Sequence, residues 1–255
     1  MDLSDARILL SNDDGIQSTG FAVLERVANA LTDDVWVCAP ESEQSGASHS
    51  LTLHRPLRLR AQGPRRYTVD GTPTDCVLLA INRLFADRRP TLMLSGVNHG
   101  QNIAEDVTYS GTIAAAMEAT LLGVRAIAFS QCFVPDRAPD WRTAEHWAPQ
   151  VIVKIMAIDW PANVLINVNF PACGPEEVAG IDVVPHANRK VGDISEERID
   201  PRGRTYYWIG AALPGEETPP GTDAAALSEN RIAITPIQLD LTHYATIDAL
   251  KAAVA

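Results

Sequence analysis

The chain has 255 residues, 46% of them hydrophobic, enough to bury one large core or two modest ones. Its formal charge of −11 argues against a general nucleic-acid binder, whose phosphate contacts need a basic face. No run approaches the roughly 20 apolar residues of a membrane helix, and a small phosphorylated substrate stays open, because a metal or a helix terminus can reverse the sign of one pocket.

In chain order, "ARILLS" reads as a strand, and "TGFAVLERVANAL" places Phe21, Leu24, Val27, Ala28 and Leu31 on one helical face. "DVWVCAP" is a second strand. "HRPLRLRAQGPRR", residues 54 to 66, alternates Leu57, Arg58, Leu59 and Arg60 as a strand with one solvated face would. "TPTDCVLLAINRLF" is expected as a helix capped by Thr74, and "TLMLSG" as a strand. "SGTIAAAMEATLLG" reads as a helix closed by Gly123, followed by the strand "RAIAFS". A helix from Trp141 to Ala157 has to accommodate Pro149 by a kink or a break. "NVLINVNFP" is one more buried strand. Strands apolar on both faces and separated by helices indicate an α/β fold, a mostly parallel sheet sandwiched by helices.

After Pro171 turn residues dominate, with strand-like "TYYWIG" and "RIAITPI", and a short terminal helix is expected near Ile247 to Val254. The expected organisation is therefore an α/β core over residues 1–171 and an antiparallel or hairpin extension over 172–255. Cys38, Cys76, Cys132 and Cys173 are far apart and form no CxxC pair, so they read as buried thiols in a reducing compartment. The start "MDLSDARILLS" lacks a basic region followed by a long apolar one, so no signal peptide is expected and a cytoplasmic location is.

In an open parallel sheet, ligands bind outside the carboxyl ends of the strands. Asp13 and Asp14 of "LLSNDDGI" follow the first strand, "PESEQSGASHS" follows the second, and "SGVNHGQN" follows "TLML". Three loops of carboxylates, hydroxyls and amides thus converge on one edge, a hard-oxygen donor set suited to magnesium, manganese or calcium. A divalent cation would neutralise the adjacent carboxylates, although "NDDG" alone reads equally well as a plain turn. "YSGTIAAAM" places Ser110, Gly111 and Thr112 at a helix start, which offers free N–H groups to a phosphate or serves simply as an N-cap. The six histidines form no HxxxH or HExxH pair, and neither GxxxxGK[ST] nor GxGxxG follows the first strand. A histidine zinc site, a P-loop ATPase and a standard dinucleotide-binding dehydrogenase are all disfavoured.

Nine motifs occur in order: "LLSNDDGI", "SGASHSLTL", "GTPTDC", "SGVNHGQN", "YSGTIAAAMEA", "DPRG", "YWIG", "PGTD" and "ITPI". Together they resemble the SurE family of stationary-phase survival proteins. The resemblance implies a Rossmann-like core whose C-terminal extension serves oligomerisation, as a homodimer or homotetramer. It implies a metal-dependent phosphomonoesterase acting on nucleoside 5′- and 3′-monophosphates, with short-chain polyphosphate as a further substrate. A divalent cation (Mg2+ or Mn2+) would be held by Asp13, Asp14, Ser45 and Asn98, and phosphate by Asn102, Ser110, Gly111 and Thr112. Asp13 or Asp14 would orient or deprotonate the attacking water, with Asn102 as a further catalytic group. No nucleic-acid polymer or membrane partner is implied. His99 and Gln101 are bulkier than the small residues associated with many relatives. The rival readings are a phospho-accepting signalling domain, which would need an aspartate where this chain has "LSGVN", and a non-catalytic nucleotide-binding module.

Overall fold

The computed structural model describes residues 3–85, 87–188, 195–209 and 219–254. The turn-rich stretches 189–194 and 210–218 of the expected extension lie outside the described residues. Among the described residues nine strands form one sheet, in the order 59–63, 66–69, 35–40, 8–11, 92–99, 125–131, 164–170, 231–238 and 180–183, and strands 195–199 and 205–209 form a separate hairpin. The central strands are β1 (Ile8–Ser11), β2 (Val35–Pro40), β5 (Leu92–His99), β6 (Arg125–Gln131) and β7 (Val164–Phe170), all parallel. Alternation along them explains why they are apolar throughout. Ile8, Leu10, Leu94 and Ile127 face helices α1 (Thr19–Asn29) and α4 (Trp141–Met156), burying Phe21, Leu24, Val151 and Ile152. Leu9, Met93, Ala126 and Ala128 face α2 (Pro73–Arg83) and α3 (Gly111–Leu121), burying Val77, Ile81, Ile113 and Ala116. The parallel sheet covered on both faces is the expected one.

Several elements differ in detail from their sequence reading. The cap of α2 is Thr72, not Thr74: Thr72 and Asp75 bond each other's backbone N–H reciprocally, and Pro73 takes the first helical position, where no donor is needed. Helix α4 runs unbroken through Pro149, so no break occurs there; the packing of Ala148, Val151 and Ile152 on the sheet compensates for one missing backbone bond. The arginine-rich segment enters the sheet edge only at β3 (Leu59–Gly63) and turns back antiparallel into β4 (Arg66–Val69). Gly123 adopts φ +78° after α3, as a helix-closing glycine does. Cys38, Cys76, Cys132 and Cys173 are all free.

The C-terminal segment divides. Strand β11 (Arg231–Gln238) pairs antiparallel with β7, and β8 (Gly180–Val183) adds to it in parallel, both within the main sheet. Helix α5 (Asp223–Ser228) packs behind them, whereas α6 (Tyr244–Val254) buries no residue. The hairpin of β9 (Ser195–Ile199) and β10 (Thr205–Ile209) is exposed along both strands. Among the described residues, no helix is long and apolar enough to cross a membrane.

Candidate functional site

The chain leaves β1 in the middle of the sheet, with β2 on one side and β5 on the other. This reversal of strand order opens a crevice at the carboxyl ends of β1 and β5, where side chains from both loops can meet. Asp13 and Asp14 follow β1, and Asn98 and His99 end β5.

The turn reading of "NDDG" holds for its flanks. Asn12 donates through Nδ2 to Gly15 O at 2.9 Å and Ser18 Oγ at 3.1 Å, and Gly15 takes φ +89°. Neither carboxylate closes the turn. Asp13 is buried against the start of α3, where Thr112 Oγ1 donates to its Oδ1 and the Thr112 backbone adds a further bond. Gly111 makes this approach possible: a Cβ there would lie 2.7 Å from Asp13 Cβ and 2.9 Å from Oδ2. Asp14 accepts the backbone N–H of His99 at 3.1 Å, tying the β1 loop to the end of β5.

Burial pushes the Asp13 carboxyl up to about 6, opposed by the Thr112 hydroxyl and reinforced by the neighbouring Asp14 charge. Asp14 is also raised, chiefly by burial, against the backbone bond and the charge of His99, with a smaller push from Glu43. Among the described residues, no lysine or arginine contributes to either carboxylate. A buried acid beside a half-buried one, with His99 as the one basic side chain acting on the pair, is an arrangement that a cation relieves.

The other expected residues fall around this pair. Asn98 is half-buried and donates through Nδ2 to Gly100 O at 2.9 Å, leaving Oδ1 as its acceptor. Ser45 is on the exposed loop after β2, where its hydroxyl donates to Glu43 Oε1 at 2.9 Å. That loop is fastened to the site one residue earlier, by Gln44 N donating to Asp13 O at 2.7 Å. Ser110 caps α3 by accepting Ile113 N at 3.1 Å. The anion nearest the α3 N-terminus is therefore Asp13, and Thr112 is engaged with that carboxylate.

Asn102 is buried and held on every side. Its N–H donates to Asn169 Oδ1 at 2.8 Å, its carbonyl accepts from Asn167 Nδ2 at 2.8 Å and Asn169 Nδ2 at 3.1 Å, and its Nδ2 donates to Ser130 Oγ at 2.8 Å. Ser130, Asn167 and Asn169 were not among the expected site residues. For Asn167 and Asn169 the signal lies in "NVLINVNF", where the two amides alternate inside an otherwise apolar buried strand and so need buried partners.

The donors at hand are carboxylate, amide and hydroxyl oxygens, which fit a hard divalent cation. Among the described residues, no group of three His, Cys, Asp or Glu side chains is placed to hold a metal, so neutral oxygens would have to complete the set.

Comparison with known proteins places this arrangement in context. Residues 8–193 match the family described as Survival protein SurE. The 5′-nucleotidase SurE of Paramagnetospirillum magneticum is 53% identical over 252 residues, covering 99% of this chain and 97% of its own. The 5′-nucleotidase SurE of Rhodospirillum rubrum is 54% identical over 255 residues, covering 99% and 97%. The crystal structure of the SurE protein from Aquifex aeolicus superposes with a TM-score of 0.86 at 36% identity, covering 97% of this chain and 99% of that one. The chain belongs to the SurE family.

Proposed function

We infer that this protein is a 5′-nucleotidase, releasing phosphate from nucleoside monophosphates with the help of a divalent cation, magnesium or manganese. The observation that carries the site assignment is Asp13, a buried carboxylate raised to about 6 beside a second acid and with no basic partner. Asp13, Asp14, Asn98 and Ser45 would hold the cation through oxygen, the Ser45 hydroxyl turning from Glu43 to do so. When bound, the cation supplies positive charge against a phosphoryl oxygen and lowers the pKa of water.

The chain's own residues do the rest. The Asn102 side-chain amide is held through Nδ2 by Ser130, and its backbone by Asn167 and Asn169, so its Oδ1 is presented in a fixed direction. The Gly111 N–H, on the positive end of α3, donates to a phosphate oxygen beside the Ser110 cap. Asp13 or Asp14 accepts a proton from the attacking water or aligns it. Activity on 3′-monophosphates and on short polyphosphate belongs to the same reading, as does assembly into a homodimer or homotetramer. The four free thiols support a cytoplasmic setting.

Phosphate release from a panel of nucleotides, run with chelator and then with added manganese or magnesium, tests the reading. The expected outcome is loss of turnover in chelator and its return with either metal. Full activity after exhaustive chelation overturns the metal assignment, and nucleotide binding without phosphate release would favour a binding module.

A further inference from the structure

Beside the carboxylate pair lies a cleft of about 430 Å³ that the phosphate-releasing chemistry leaves unexplained. Its walls include Asp14, Thr19, Glu43, His99, Pro139 and Trp141. Asp14 belongs to both the cleft and the candidate metal site, so a ligand whose phosphate is held at that site would extend directly into it.

One wall is aromatic. The exposed His99 ring stacks on Phe133 with centroids 4.6 Å apart and planes 29° apart, and faces Trp141 at 6.3 Å with a 50° tilt. Phe133 backs the imidazole outside the cleft, while His99 and Trp141 turn their surfaces into it. Trp141 is fixed by Gly20, where a Cβ would lie 2.8 Å from the indole and 2.0 Å from Val97 O. The rest of the lining is the hydroxyls of Ser18 and Thr19, the small apolar Ala138 and Pro139, and two acids. Among the described residues no lysine or arginine lines the cleft, so a second phosphate group there would meet the Glu43 carboxylate. A neutral, flat ring with N–H donors on its edge meets aromatic faces and acceptor carboxylates instead.

We propose that this cleft is the nucleobase subsite, with the base stacked against the His99 and Trp141 rings and Glu43 accepting from sugar hydroxyls or an exocyclic amine. The proposal rests on the nucleotidase reading and deepens it. The aromatic wall makes the enzyme prefer nucleotides over other phosphomonoesters, because a base of any identity offers a π-face. Such stacking is worth about 5- to 150-fold per base. The volume is within the usual range of small-molecule pockets.

His99 allows ring and backbone to be separated, since its N–H bond to Asp14 is kept by alanine and by phenylalanine. The test compares wild type, His99→Ala and His99→Phe on adenosine 5′-monophosphate and ribose 5-phosphate, with manganese. Calorimetric titration with adenosine, which requires no turnover, accompanies the kinetics. The ratio of kcat/KM for the nucleotide to that for the sugar phosphate should fall at least fivefold in His99→Ala, through KM, and recover in His99→Phe. Adenosine affinity should follow the same order. An unchanged ratio, or equal loss on both substrates, overturns the subsite, as does wild-type turnover without measurable adenosine binding. Adenosine binding that needs the ring, without phosphate release from either substrate, would instead sustain the subsite and overturn the nucleotidase reading.

Discussion

Asp13 carries the electrostatic cost of the site. Its folded carboxyl titrates at about 6 against an ordinary 3.8, so the folded metal-free protein holds that proton more tightly than the unfolded chain does. The contribution to stability is full below about 3.8 and is lost as pH rises through about 6, a difference of about 3 kcal/mol. Asp13→Asn keeps the shape and removes the ionisation. In chelator, the variant should melt above the wild type at about pH 8, and the gap should close near pH 4. Manganese should raise the wild-type melting temperature by mass action and leave the variant nearly unmoved. Thermal melts of both proteins across pH, with chelator and with metal, check this; an equal metal-induced shift in both would show that Asp13 is no ligand. Thr112 and Asn102 part company here. Thr112 donates to Asp13 itself, so Thr112→Val should weaken manganese binding and turnover together, by about tenfold or more. Asn102 is bonded to Ser130, Asn167 and Asn169 rather than to either carboxylate, so Asn102→Ala should lower turnover with manganese affinity nearly kept. Calorimetry beside steady-state kinetics distinguishes the two patterns.

Elements place these residues, and much of that placement is legible in the sequence. Periodicity marks β1, α1, β2, α3, β6 and β7 because each buries a regular apolar pattern. The loops after β1, β2 and β5 meet because parallel strands present their carboxyl ends on one edge. What periodicity misses is reciprocal chemistry. The cap of α2 is set by a pair, Thr72 with Asp75, which the pattern of single residues around Thr74 does not reveal. Strand β4 is short and alternates little, so only its pairing with β2 and β3 defines it. The order of contact between Asp13 and α3 is also invisible in sequence, since 99 positions separate Asp13 from Thr112. Gly111 records that contact. With no room for a Cβ, Gly111→Ala should displace Asp13 or the first turn of α3. Turnover should fall about tenfold or more, with a destabilisation of about 1–3 kcal/mol from local overpacking. Activity within twofold of wild type would show that the site tolerates a shift of Asp13.

At the scale of the molecule, the C-terminal third serves two ends. Strands β11 and β8 complete the main sheet, with β11 covering an edge that β7 would otherwise expose. The β9–β10 hairpin has no such role. Two strands alone are marginal in water, yet this pair carries Tyr206, Tyr207, Trp208 and Ile209 at 42%, 63%, 63% and 85% exposure. Clustered apolar side chains at the surface mark an interaction site more often than an isolated monomer tolerates. Helix α6 adds Tyr244, Leu250 and Val254, also exposed. The expected partner is another copy of the chain, so light scattering at micromolar concentration should give a dimer or tetramer. Trp208→Glu with Ile209→Glu puts charge into the hairpin without touching the sheet core, and should shift the mass towards monomer. The carboxylate site is built from β1, β5, α3 and the loop after β2, none of them in the hairpin, so the residual monomer should still gain melting temperature with manganese. A wild-type monomer at that concentration, or a double variant with undiminished mass, would assign the exposed aromatics to some purpose other than self-assembly.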